Sequence, residues 1–268
     1  MSDIQIDVSR IGTSSPTFSL YDFRETYFHI RKDFQVWEVM VEGKHEAGKI
    51  EKVAQDLLAS HPMKLQFHAP MSDVNIGSVN ERMRRASVRE VVEAVRVASL
   101  LSADPMTIHP GHLSPLTRER PEILTKQMLR SLNEIDKAGI EYGVDLCLEN
   151  MPNFPFAHCK SPKELLQAVE GTDLFFTLDI GHAHTNNNMA GFLYPEIVDR
   201  VKNVHVHDNL SDHDSHLTLG QGDIDLPRII LELEGLGYRG NYIIESRTLE
   251  SSKSSKVYLT EIGDLLRC

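Results

Sequence analysis

Eight short apolar segments alternate along this chain with longer segments in which apolar residues recur every three or four positions. The short segments are rich in β-branched residues, which is typical of buried strands, and the longer ones have the period of an amphipathic helix. Eight such units in 268 residues predict an α/β fold with a parallel sheet. The predicted strands are Val8–Gly12, Gln35–Val41, Lys64–His68, Pro105–His109, Val144–Glu149, Phe175–Asp179, Asn203–His207 and Asn241–Glu245. The clearest predicted helices are Glu46–Ser60, Asn80–Leu101 and Thr117–Tyr142.

Polar side chains at the strand ends separate the two folds that fit this alternation, a (β/α)8 TIM barrel and a doubly wound open sheet. The third to eighth strands lead to His68, His109, Glu149, Asp179, His205 and Glu245. In a closed barrel these ends form one ring, whereas in an open sheet they lie along an edge, too far apart to meet. The pattern therefore favours the barrel. No linker rich in Pro, Gly or Ser divides the chain, so we expect a single domain over residues 1–268.

Composition narrows the class of protein. The 28 Lys and Arg against 39 Asp and Glu give a net charge of −11, and 41% hydrophobic with 25% charged residues is typical of globular domains. No apolar segment approaches the roughly 18 residues that cross a bilayer, and the N-terminus lacks the pattern of a secretory signal. The three cysteines, Cys147, Cys159 and Cys268, are an odd and widely spaced set that fits a reducing compartment. We predict a cytoplasmic protein that does not enter a membrane.

The polar strand ends indicate a metal centre. One His or Glu after a strand is more often a cap or a surface group, but six at one barrel mouth would repel or stay unpaired without a cation. Oxygen and nitrogen ligands of this mixture suit zinc, manganese or a similar divalent ion. Two further pairs extend the cluster, namely Asp179 with His182 and Asp214 with His216. The Gly220-Gln221-Gly222 segment is more typical of a turn than of a phosphate site.

Seven short motifs follow one another in a fixed order. They are His68-Ala69-Pro70, His109-Pro110-Gly111, Glu149-Asn150, Asp179-Ile180-Gly181-His182, His205-Val206-His207-Asp208, Asp214-Ser215-His216 and Glu245. This series resembles the endonuclease IV and xylose isomerase-like barrel superfamily over nearly the whole chain. In endonuclease IV relatives nine residues hold three zinc ions, and each has a counterpart here. The resemblance implies three ligand sets that share Glu149: His68, His109 and Glu149; Glu149, Asp179, His205 and Glu245; and His182, Asp214 and His216.

Two more histidines stand beside the implied ligands. We interpret His184 and His207 as groups that orient ligands or contact substrate. His207 lies two residues from His205 on the same strand face, so it could be the ligand in place of His205.

Two segments depart from the endonuclease IV pattern. Endonuclease IV relatives enter and bend DNA with an Asn-Pro-Arg or Asn-Gln-Arg segment after the second strand and an aromatic-bearing loop after the third. This chain has Trp37–Gly43 and Pro70–Gly77 there, and neither supplies the DNA-probing side chains. These segments, together with Leu178–Ala183, look more like the sugar isomerase and epimerase branch.

Two enzyme functions follow from the resemblance. Four carboxylates under three divalent ions leave a net charge of +2, which attracts a phosphate, so the main hypothesis is a hydrolase acting on abasic-site DNA or a related phosphate ester. The alternative is a metal-dependent isomerase or epimerase of a sugar or sugar phosphate, in which Glu149 and Glu245 exchange a proton with the substrate. A non-catalytic binding barrel is the third class and ranks last, because ligands at six strand ends are costly to keep folded without metal and lie where barrel enzymes do chemistry.

Two polar segments in predicted helices are interpreted as solvent-exposed surface rather than as functional sites. Arg82, Arg84 and Arg85 could meet a phosphate but are more typical of a solvated helix face. Ser251–Lys256 is interpreted as the solvated start of the final helix.

Overall fold

A computed structural model describes residues 6–265, and its eight parallel strands close into a barrel in chain order. The first and last strands complete the ring, with Ile11 opposite Tyr242 and Ser14 opposite Glu245. The strands are β1 Ile11–Ser14, β2 Val36–Met40, β3 Lys64–His68, β4 Met106–Ile108, β5 Leu146–Glu149, β6 Phe175–Asp179, β7 Val201–Val206 and β8 Asn241–Glu245. The helices are α1 Phe23–Ile30, α2 Ala47–Ser60, α3 Glu81–Leu101, α4 Pro121–Tyr142, α5 Pro162–Ala168, α6 Ile180–Thr185, α7 Pro195–Val198, α8 Leu226–Gly235 and α9 Leu249–Leu265. The predicted (β/α)8 barrel is confirmed.

Two strands lie away from their predicted positions. The first begins at Ile11 because Asp7 accepts a hydrogen bond from the Ser9 backbone N–H and starts a single 3-10 turn over Val8–Arg10. The seventh covers Val201–Val206 and ends before His207. The prediction placed both histidines of the His-Val-His motif in the strand. In the structure only His205 is part of the barrel wall, and His207 follows the strand.

Polar side chains fill much of the barrel interior below the mouth. The hydroxyl groups of Thr107 and Thr177 lie 2.8 Å apart, and Gln66 Nε2 donates to Asn203 Oδ1 at 3.1 Å. Asn241 in turn hydrogen-bonds to Gln66. Each of these groups is buried and finds a partner, which offsets the cost of removing it from water. This layer forms the floor on which the site at the mouth rests.

Two expectations about helix surfaces need correction. Arg84 is only 1% exposed, because its guanidinium bridges Glu81 on its own helix to Glu134 and Ser131 on α4, so it is not on a solvated face. Arg82 and Arg85 are exposed, as the plainer interpretation expects.

The final helix also differs from its prediction. It begins at Leu249, and both Ser252 and Ser255 are fully buried rather than solvated. Ser252 Oγ accepts from Thr13 Oγ1 at 2.9 Å, and Ser255 Oγ accepts from the Leu219 backbone N–H at 3.1 Å. Small polar residues can face a packed barrel when they hydrogen-bond there, which composition alone does not reveal.

Helix hydropathy and the state of two cysteines can be read from the structure. None of the helices within residues 6–265 is long and apolar enough to span a membrane. Cys147 and Cys159 are buried free thiols, and Cys268 lies outside the described residues.

Candidate metal centre

All nine residues predicted as ligands lie at the carboxyl-terminal mouth of the barrel. Four of them are the last residues of their strands, one follows β4 directly, one lies in β7, one is in α6, and two are in the loop after β7. The parallel strands bring these distant positions together, as the ring pattern in the sequence predicts. In that order they are His68, Glu149, Asp179, Glu245, His109, His205, His182, Asp214 and His216.

The first group joins two imidazoles to Glu149. His68 Nε2 lies 3.4 Å and His109 Nε2 2.8 Å from the same oxygen, Glu149 Oε2. His68 and Glu149 are buried, and His109 is partly open to the mouth. These three residues can hold an ion within reach of solvent and substrate.

The second group surrounds His205, which is fully buried. Its Nδ1 lies 3.2 Å from both Glu149 Oε1 and Glu245 Oε1, and 3.9 Å from Asp179 Oδ2. Three carboxylates therefore face one ring nitrogen. His205 rather than His207 lies between the two glutamates, and the assignment of these four residues to one ion stays a prediction.

The third group gathers around Asp214. Its Oδ2 lies 3.3 Å from His182 Nε2 and 3.2 Å from His216 Nε2. His207, interpreted from the sequence as an extra group, also joins this cluster, because its Nε2 lies 3.4 Å from Asp214 Oδ1. The other extra histidine, His184, instead faces Asp223 near the surface.

Backbone carbonyl groups determine which imidazole nitrogen faces the carboxylates. The Nδ1 atoms of His68 and His182 lie 2.8 Å from the Ala69 and Asn150 carbonyl oxygens, and that of His216 lies 3.3 Å from the carbonyl of Glu245. A carbonyl oxygen only accepts, so Nδ1 carries the proton and the neutral ring presents the Nε2 lone pair. A lone pair directed at a carboxylate needs a proton or a cation between them.

Protonation in the metal-free cluster follows from this arrangement. Burial alone would lower the pKa of His182 and of His205, but the charges of nearby carboxylates, chiefly Asp179 and Glu38 respectively, raise both well above the usual value. Burial likewise opposes a charged His216, yet its hydrogen bond to Asp214 raises its pKa to about 9. The imidazoles thus act as cations towards the carboxylates, and a divalent ion that binds here displaces their protons.

The distances fit a divalent ion. Two ligand atoms about 2.0–2.1 Å from zinc at the tetrahedral angle lie about 3.4 Å apart, close to the 3.2–3.3 Å between His and carboxylate atoms in the second and third groups. Among the described residues, no donor hydrogen-bonds to the buried oxygens Asp179 Oδ2 and Asp214 Oδ1. Buried carboxylate oxygens without donors are costly, and a metal ion would satisfy them.

The sequence interpretation missed Glu38, a fifth carboxylate at the site. This fully buried residue in β2 places Oε1 2.8 Å from His205 Nε2, and its other oxygen accepts from Asn203 Nδ2 at 2.7 Å. The sequence does contain a signal that could have identified it, because Glu38 is the one charged residue in the otherwise apolar strand Val36–Met40. Counting Glu38 lowers the net charge under three divalent ions from +2 to +1, which weakens the argument from charge for a phosphate substrate.

The glycine-containing segment after β7 is a turn, as the plainer interpretation holds. Asp208 Oδ2 accepts from the backbone N–H groups of Gly220 and Gly222, both at 2.9 Å. Gly220 has φ +86°, and a Cβ at Gly222 would lie 2.1 Å from Asp208 Oδ1. The turn closes the loop that carries Asp214 and His216.

An apolar cleft of about 280 Å³ opens beside His109. Met71, Val74, Phe154 and Phe156 line it together with the backbone around Gly111. Aromatic and apolar walls next to polar ligands are typical of small-molecule sites.

Comparison with known proteins agrees with this fold and site. The model of the xylose isomerase-like TIM barrel family matches residues 31–263. The chain belongs to this family. The uncharacterized protein MJ1311 of Methanocaldococcus jannaschii is 33% identical over 245 residues, which are 87% of this chain and 82% of that protein.

Two solved structures show that proteins with different names share this fold. A D-tagatose 3-epimerase-like protein superimposes with a TM-score of 0.85 at 29% identity, covering 96% of this chain and 98% of its own. Endonuclease IV from Thermus thermophilus has a TM-score of 0.66 at 20% identity, covering 96% of this chain and 99% of its own. The epimerase-like protein is thus more similar to this chain in both sequence and structure.

Proposed function

We propose that this chain is a metal-dependent isomerase or epimerase of a sugar or sugar phosphate. The observation that carries the proposal is the placement of Glu149 Oε1 and Glu245 Oε1, each 3.2 Å from the Nδ1 atom of His205. Two carboxylates at one metal position can serve opposite faces of a small substrate. The similarity to the D-tagatose 3-epimerase-like protein supports the same reaction class.

The proposed chemistry is proton exchange at a carbon next to a carbonyl group. Glu149, Asp179, His205 and Glu245 would hold the ion, zinc or manganese by their ligand type, which when bound polarises the substrate's carbonyl and hydroxyl oxygens. One glutamate, ionised, would remove the proton from the carbon, and the other, protonated, would give its proton to that carbon or its neighbour. In the second case the hydroxyl proton also passes from one substrate oxygen to the other. Return to the opposite face of the same carbon gives an epimer, and return to the neighbouring carbon gives an isomer.

The apolar cleft beside His109 supports a small substrate. Phe154 and Phe156 can contact the C–H face of a sugar, while the metal ligands bind its oxygens. Location in the cytoplasm stays a prediction from the odd, widely spaced set of cysteines in the sequence.

Phosphate ester hydrolysis is the second candidate. The observation that favours it is the third group, where His182 and His216 lie 3.3 and 3.2 Å from Asp214 Oδ2, because three ions would suit attack on phosphorus. Abasic-site DNA is the substrate class that the resemblance to endonuclease IV implies. The segments Trp37–Gly43 and Pro70–Gly77, without DNA-probing side chains, weigh against it.

Solvent exchange tests the proposal directly. The protein, loaded separately with zinc and manganese, is incubated in D₂O with a panel of ketoses, aldoses and their phosphates, and NMR follows loss of the C–H signal. We expect exchange with one substrate, reduced by about 10²- to 10⁴-fold in Glu149→Gln and Glu245→Gln. Glu90→Gln, at an exposed position on α3, is the matched control and should retain full exchange. Cleavage of abasic-site DNA without exchange on any sugar would overturn the proposal in favour of the hydrolase.

A further inference from the structure

His207 lies in the third group but belongs to none of the ligand sets that the resemblance implies. It is fully buried, and within residues 6–265 neither ring nitrogen has a hydrogen-bond partner. Its Nε2 lies 3.2 Å from Asp179 Oδ1 and 3.4 Å from Asp214 Oδ1, with unfavourable hydrogen-bond geometry. A buried imidazole without a hydrogen-bond partner is destabilising, and a metal ion bound to it would remove that cost.

The neighbours of His207 form a compact set of ligand atoms. One ligand atom each from His182, His207, Asp214 and His216 lies within 4.8 Å of all the others. The rings of His207 and His216 stack at 3.9 Å with their planes 18° apart, and each presents Nε2 to a different oxygen of Asp214. The His182 ring meets that of His207 edge to face at 5.6 Å.

The backbone makes room for the His207 ring. A Cβ atom at position 181 would lie 2.0 Å from His207 Cε1, so only glycine fits beneath the imidazole. The next residue, Asp208, holds the turn that closes the loop carrying Asp214 and His216. The adjacent residues His207 and Asp208 therefore link this imidazole to the loop that carries the other ligands.

We propose that His182, His207, Asp214 and His216 form a closed four-ligand metal site. A tetrahedral zinc ion with four protein ligands keeps no position for water or substrate, which is the property of structural rather than catalytic sites. The ion in this site holds the loop after β7 against α6 and does not supply a hydroxide. Catalysis then rests on the ions near Glu149, and the third group no longer favours hydrolysis.

Cobalt(II) in place of zinc tests the coordination directly, because four-coordinate cobalt absorbs visible light more strongly than six-coordinate cobalt. We expect His207→Asn to weaken this absorption and to speed release of one ion to a chelator. The release should change by at least the roughly 10- to 100-fold that loss of an outer hydrogen-bond partner costs. His184→Asn is the matched control, because His184 lies on α6 beside the site but pairs with Asp223 at 2.8 Å.

A cysteine variant separates ligation from a packing role. Cysteine is itself a metal ligand, so cobalt-loaded His207→Cys should show a thiolate-to-cobalt charge-transfer band in the near ultraviolet that the wild-type protein and His184→Cys lack. Wild-type absorption and ion release in His207→Asn, or no such band in folded His207→Cys, would overturn the closed site. Both readouts are taken without substrate, so their failure is distinct from failure of the proposed reaction.

Discussion

Glu38 shows how one side chain can act on the metal centre without reaching it. His205 directs one ring nitrogen to the glutamates of the second group and the other to Glu38 Oε1 at 2.8 Å. The negative charge of this carboxylate favours a proton on the nearby Nε2 atom, which leaves Nδ1 as the ligand atom and makes it more basic. The buried amide of Asn203 holds Glu38 in place.

We therefore expect Glu38→Gln to weaken metal binding at the second group by about 10- to 100-fold. A competitive titration with a chromophoric chelator measures the affinity. Thr177→Val is the matched control, since this buried hydroxyl pairs with Thr107 in the same interior and, within residues 6–265, hydrogen-bonds to none of the predicted ligands. Equal affinity in Glu38→Gln and the wild-type protein would show that the contact does not tune the site.

At the scale of elements, the sequence predicts strands better than it predicts the surroundings of helices. β3, β6 and β8 have their predicted bounds, because each is a short, mostly apolar segment whose last residue is a charged or imidazole side chain that marks the carboxyl end of the strand. Arg84 and Ser252 were misjudged because their partners, Glu134 and Thr13, are distant in sequence. Local pattern carries no information on such contacts.

The packing of His45 before α2 predicts how the stability of the protein depends on pH. This residue precedes α2, is fully buried, and meets the rings of Phe23 and Trp37 edge to face at 5.2 and 5.5 Å. Burial lowers its pKa from 6.5 to about 4. The unfolded chain takes up a proton below pH 6.5 and the folded chain does not, so the stabilisation is complete above pH 6.5 and is lost as pH falls towards 4.

We expect His45 alone to lower the free energy of unfolding by on the order of 3 kcal/mol as the pH falls from 6.5 to 4. Urea unfolding of the metal-free protein at pH 7.5 and 4.5 measures the free energy of unfolding, and His45→Gln should lose less of it than the wild-type protein. His29→Gln, at an exposed position on α1, is the control and should behave as wild type. An identical acid loss in His45→Gln would contradict the assignment.

At the scale of the whole molecule, metal ions should join the strands that supply the ligands. The ligand residues come from β3 to β8 and their loops, so the unfolded chain lacks a preformed site and metal binding adds to the free energy of unfolding. An ion present at 100 times its dissociation constant contributes about 2.7 kcal/mol.

Chelation should therefore lower the melting temperature by about 5–10 °C, since a domain of this size shifts by roughly 2–4 °C per kcal/mol. Differential scanning calorimetry with and without EDTA measures the shift. Zinc should restore the original value, whereas magnesium, which prefers oxygen ligands, should not. An unchanged melting temperature after verified metal removal would show that the ions do not stabilise the barrel.

The sequence by itself determined the barrel class and the nine residues that meet at its mouth. Strand period is a local property, and parallel strands in a closed ring must bring their polar ends together. Only the tertiary structure decided that Glu38 lies behind His205 and that His207 joins Asp214. Those placements depend on side-chain packing between distant segments, such as the space left by Gly181, and no local pattern encodes them.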